Sequence, residues 1–166
     1  EEFEVPLKEF APITPFDQAD RTAAHSQSLK QVFGGRWHAQ GYNPSNGKPH
    51  WVYGSGPAVT GSITGKSDLS LAARSVLEQI APVLALDDRN LRLASSPRSA
   101  GKWAAHYQQT WQGLDVWDSG VKVVVTEAGR LVLTESDVWS APHDIPAASI
   151  AGMLASLYGQ SAYRPA

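Results

Sequence analysis

Leu69, Ala72, Ala73, Val76, Leu77, Ile80 and Leu84 fall on one stripe of 3.6-residue period. That spacing predicts an amphipathic helix over roughly residues 68–84, with one face against a core. Ser67 stands where a side-chain cap is needed, with Asp68 beside the positive end of the helix dipole. Pro82 has no backbone donor, so the helix is expected to end or kink there. Past "LDDRN" the period becomes two. "LRLAS" alternates, and "KWAAHYQQTW" puts Trp103, Ala105, Tyr107, Gln109 and Trp111 on one strand face. "VKVVVT" and "RLVLTES" are β-branched strands joined by "EAG", where Gly129 supplies the positive φ of a short hairpin. Gly113 does the same between "KWAAHYQQTW" and the valine run.

The rest of the pattern is weaker. Residues 1–30 contain Pro6, Pro12 and Pro15 and read as an extended N-terminal arm, with a short helix around 18–30. "VFGGRWHAQGY" and "PHWVYGSG" have strand character and flank the turn cluster "NPSNGK". "GPAVTGSITGKS" reads as a flexible glycine-rich connection. Near the end, Ile150, Met153, Leu154 and Leu157 stripe a second helix from Pro146 to Tyr158. The order is a helix followed by a three- or four-strand antiparallel meander. Such a sheet must bury one face, and the 68–84 helix is the available apolar partner. The expected class is α+β, a curved antiparallel sheet around one long helix.

Composition narrows the function. Of the 166 residues 42% are hydrophobic and 18% charged, so the chain is globular rather than disordered. A net charge of −2 provides no basic surface for nucleic acid, and Tyr107, Trp111 and Trp117 lack the Lys and Arg that base stacking requires beside it. No apolar run approaches the roughly 20 residues that span a bilayer, so no membrane insertion is expected. The opening "EEFEVPLKEF" has neither a basic n-region nor an apolar h-region, so any signal peptide is expected to be gone already. With no cysteine, disulfides and thiolate chemistry are excluded.

Candidate chemistry is sparse. The five histidines, His25, His38, His50, His106 and His143, show no i, i+2, i+3 or i+4 spacing, so no local metal site and no His-Glu-x-x-His helix exists. A metal set assembled from distant positions is left open, with surface or packing histidines as the default. The carboxylate pairs Asp87–Asp88, Asp115–Asp118 and Glu135–Asp137 lie at turns or strand ends, where capping and solubility account for them. Ser55 lacks a nucleophile-elbow frame, and Thr60 stands where a phosphate loop needs glycine. No cofactor is implied. Six tryptophans are more informative: they either fill the space between helix and sheet or present an aromatic face to a protein or glycan. Gln108 and Gln109 must point to opposite faces, one toward solvent or a partner, the other buried on backbone partners.

The segments "AARSVLEQIAPVLALDDRNLRL" and "WAAHYQQTWQGLDVWDSGVKVVVTEAGRLVLTES" together resemble the FTP domain, the fungalysin/thermolysin propeptide module. Gln109, Thr110, Gly113, Val116, Val123, Val125, Gly129 and Leu131 stand at matching positions, and the resemblance spans about residues 67–140. Asp115 departs from the proline usual before the turn valine, and Trp117 from the small residue usual after it. "DIPAASIAGMLASLYG" resembles the opening helix of a PepSY domain, which commonly follows FTP. The resemblance implies an N-terminal arm over 1–30, an FTP-like domain over 31–142 and the start of a PepSY-like unit over 143–166. It implies a cystatin-like arrangement and a secreted or periplasmic bacterial setting. It further implies a non-catalytic pro-region that chaperones and inhibits a zinc metalloprotease catalytic domain. Gln108, Trp111, Asp115 and Trp117 are the candidate partner contacts. The competing expectation is a standalone extracellular module binding a protein or glycan through an aromatic sheet face, with at least three exposed tryptophans.

Overall fold

In the computed structural model, which describes residues 15–43 and 46–139, the whole predicted stripe is buried. The helix that carries it, α2, runs Lys66–Leu84. Its N-cap is Gly65, without a side-chain cap bond, rather than the expected Ser67. Asp68 reaches back instead: the Thr64 backbone N–H donates to its carboxylate at 2.9 Å, and the Thr64 hydroxyl donates to the same oxygen. A carboxylate one turn into the helix thus satisfies a donor just outside it. Pro82 sits in the last turn, and the helix closes on Ala85 at φ 53°, with the Leu86 N–H donating to Ala81 O.

The expectation of one long helix is corrected. A helix of equal length, α1, runs Pro15–Phe33. Its polar segment holds few apolar residues, so no period announced its extent. Docking comes from its C-terminal end, where Leu29 and Phe33 enter the common core. The residues assigned to the rest of the N-terminal arm and to the 146–158 helix lie outside the described residues.

Seven strands form one antiparallel sheet: β1 (Arg36–Tyr42), β2 (Pro49–Ser55), β3 (Leu91–Ser95), β4 (Arg98–Ser99), β5 (Lys102–Trp111), β6 (Leu114–Thr126) and β7 (Leu131–Ser136). The order is β1-β2-β7-β6-β5-β3, with the short β4 also on β5. The expected meander is therefore continued by the β1–β2 hairpin, which joins through β7. Trp103, Ala105 and Tyr107 of β5 and Val121, Val123 and Val125 of β6 alternate into the core with Leu69, Val76 and Ile80 of α2. The helices share that core, and no described helix covers the other sheet face. Gly129 has φ 73° and Gly113 φ 83°, as their hairpins require.

Candidate functional site

β5 and β6 turn over Gln112 and Gly113, both at positive φ, with Trp111 paired to Leu114 across them. Two central residues in that region match the twist of a two-residue hairpin. The register then slips. Gln108 pairs with Gly120, but Thr110 pairs with Asp115. One residue of β5, Gln109, therefore faces Val116, Trp117, Asp118 and Ser119 of β6, and the extra length is thrown out as a bulge.

The paired glutamines make this bulge possible. Carbonyls in the bulge lose their ladder donors, and a polar group left unpaired away from water is costly. The Gln108 amide donates to Val116 O at 2.6 Å and to Ser119 O at 2.8 Å, with Gln109 O at 3.2 Å from the same nitrogen. Gln109 faces the other way and is 9% exposed. Its side chain behaves as a peptide unit: Nε2 donates to Trp139 O, and Oε1 accepts from Trp139 N, each at 2.9 Å. The Ser119 hydroxyl donates to the same Oε1. The chain leaving β7 is held further by the Asp137 N–H on Gly120 O and by the Asn43 and Asn46 amides on Val138 O. Gln109 thus welds the bulge to the outgoing strand. Gln108 is also committed to backbone, where the alternation argument had left one glutamine facing outward.

The candidate contact residues spread over this hairpin. Trp117, in the bulge, is 91% exposed. Asp115 is exposed and paired with Arg92 of β3 at 2.7 Å. Trp111 is half-buried, and so is Gln108. Leu114, which sequence reasoning passed over, is 52% exposed beside Trp111 in the turn. Its only signal was an apolar residue directly after a turn glycine. The tryptophans divide: Trp37 and Trp103 are core, while Trp51, Trp117 and Trp139 are exposed.

A polar row crosses the open face beside the hairpin. His106, Lys122, Glu135 and Trp51 are register partners on β5, β6, β7 and β2. The Lys122 ammonium donates to Glu135 at 2.6 Å, which with the charge of the same lysine holds the Glu135 carboxyl below its ordinary value. Burial, then the Lys122 charge, pushes the His106 imidazole down. Ser95, His106, Gln108, Asp118, Lys122 and Glu135 help line a groove of about 380 Å³. At the end of the row His50 meets Asp137, Nδ1 to Oδ1 at 2.6 Å, and its Nε2 lies 3.8 Å from Glu135. Of the three carboxylate pairs, Asp87 is the N-cap of a 3-10 turn and is bound by Arg89, Asp115 by Arg92, and Glu135 by Lys122.

Residues 101–134 match the family model of the Fungalysin/Thermolysin Propeptide Motif. The matched segment contains the whole β5–β6 hairpin and its bulge. No curated protein matches the chain. Among solved structures, the Bacillus megaterium YpeB C-terminal domain is similar at a TM-score of 0.47 and 11% identity, over 75% of this chain and 67% of that one. No helix among the described residues is long and apolar enough to cross a membrane.

Proposed function

We propose that this chain is a non-catalytic pro-region that binds the catalytic domain of a thermolysin-like zinc metalloprotease, assists its folding and blocks it until released. The observation that carries the reading is the propeptide motif at 101–134, which coincides with the hairpin that pushes Trp117, 91% exposed, and Leu114 into solvent. An indole 91% exposed gains nothing in the isolated fold. Buried against a partner, it is the residue type that most often dominates an interface. Trp117 and Leu114 are assigned as the apolar contact and Asp115 as its charged rim, with Trp111 and Gln108 shaping the hairpin beneath. A ligand that binds the native catalytic domain and not its unfolded chain stabilises the native state by mass action.

The remaining parts of this reading follow the motif. The domain proper is assigned to 31–142, after an arm over 1–30, with a PepSY-like unit beginning in 143–166, and the arrangement is read as cystatin-like. The setting is secreted or periplasmic. No cofactor and no nucleic acid enters the function.

Refolding tests it. A denatured thermolysin-like catalytic domain, diluted from guanidinium with and without the chain in trans, is assayed for recovered activity after the chain is digested away. The expected result is a several-fold higher yield, saturating with added chain. A yield equal to that with albumin contradicts the chaperone role.

A second reading has its own support. Trp51, Trp117 and Trp139 are all exposed, as a standalone aromatic binding module requires. That module would bind a cell-wall glycan or an unrelated protein, and would leave refolding unchanged.

A further inference from the structure

The geometry points to a divalent-cation site formed by His50, Glu135 and Asp137, of the zinc class, independent of the pro-region reading. One ligand atom from each of the three residues lies within 4.8 Å of the others. Zinc holds nitrogen and carboxylate donors at about 2.0–2.2 Å, which places them roughly 3–3.5 Å apart around the ion. Side-chain rotation of about an ångström therefore closes the set. The close pair is already poised: His50 Nδ1 and Asp137 Oδ1 lie 2.6 Å apart, and the ion would enter between them. Ser136 O lies 3.2 Å from the same nitrogen and offers a further oxygen.

The donors sit on anchored backbone. His50 is in β2 and packs edge-on against Trp51, with ring centroids 4.1 Å apart. Glu135 is in β7, directly opposite Trp51. Asp137 is fixed by its N–H on Gly120 O at 2.9 Å. Held this way, the donors lose little freedom on binding. Lys122 engages Oε2 of Glu135 and leaves Oε1 3.8 Å from Nε2 rather than from the Nδ1 that meets Asp137, so Glu135 must swing toward Nδ1 to complete the set. The Lys122 charge offsets one of the two carboxylates. One imidazole with carboxylate oxygens, and no sulfur, favours zinc over calcium or magnesium, which take all-oxygen sets. The ion would join β2 to the segment leaving β7, the same segment that Gln109 holds.

The test is calorimetric titration of the metal-stripped 166-residue chain with zinc chloride at about neutral pH, alongside thermal unfolding. One saturable equivalent with a dissociation constant in the low micromolar range is expected, with a raised unfolding midpoint. Asp137→Asn and His50→Gln should each weaken binding at least about tenfold, in line with the loss of a ligand or its partner, while His38→Ala leaves it unchanged. The site is overturned by no saturable binding up to about 100 μM zinc, some 5 kcal/mol of binding free energy. Equal affinity in the Asp137→Asn chain, or loss in the His38→Ala chain, overturns it equally. Asp137→Asn is isosteric and 48% exposed, so it decides the matter should His50→Gln fail to fold.

Discussion

Thr134 and Gln109 are both buried polar side chains of the sheet, and opposite consequences follow. Thr134 is 0% exposed and pairs with Val52 and Val123 on its two neighbours. Its hydroxyl has no hydrogen-bond partner among the described residues. A buried unpaired hydroxyl carries its desolvation penalty without return, so the isosteric Thr134→Val should raise stability by about 1 kcal/mol. Urea unfolding measures this, and a fall of similar size would mean that the hydroxyl is bonded. Gln109, by contrast, joins Trp139 and Ser119 through three contacts. Gln109→Leu would strand the Ser119 hydroxyl and both Trp139 backbone groups, and should cost roughly 2–4 kcal/mol. The same denaturation series reads it, and a cost under about 0.5 kcal/mol would remove Gln109 from the role of weld. The sequence could state that one of two adjacent glutamines is buried, because strand side chains alternate. It could not state what either glutamine binds, because the partners lie up to 30 residues away.

At the scale of elements, local pattern carried most of what was readable. The α2 stripe, the β5 alternation and the two glycine turns are each set within a few residues, so period and turn chemistry found them. The short helix expected around 18–30 understated α1, because tertiary contact through Leu29 and Phe33, not amphipathicity, holds its full length. The bulge escaped because it is a property of two strands together. Gly120 shows how tightly its base is packed: a Cβ there would lie 2.2 Å from Tyr107 O. Gly120→Ala should therefore force β5 and β6 apart and destabilise by about 3 kcal/mol, comparable to a severe overpacking change. A change below about 1 kcal/mol would show that the strands slide apart easily. Lys122 and Glu135 make a pH prediction at the β6–β7 pair. Glu135 is held below its ordinary 4.5, so its pairing stabilises the fold fully above that value. That stabilisation is lost as pH falls through the lowered folded value. Lys122→Met should lower stability near neutrality and flatten the acid limb below pH 4.5, read as unfolding midpoint against pH. An unchanged acid limb would contradict the pairing.

Over the whole molecule, topology does what no window of sequence can. The β1–β2 hairpin joins the sheet beside β7, and so brings His50 against Glu135 and Asp137. Histidine spacing had no means of showing this, since the partners are 85 and 87 positions apart. Topology also leaves one sheet face and the β5–β6 bulge uncovered among the described residues, with Trp117 at its crest. The propeptide motif and this exposed apolar hairpin occupy the same stretch of chain. The central claim is that the hairpin seats on a metalloprotease catalytic domain and blocks it. Titrating the chain against a thermolysin-like zinc protease, while following hydrolysis of a small peptide substrate, tests this most directly. The account predicts saturable inhibition, weakened at least about tenfold by the double substitution Leu114→Ser and Trp117→Ser, with the unfolding midpoint of the chain unchanged. Undiminished hydrolysis at high-micromolar chain, or equal inhibition by the double variant, would contradict it.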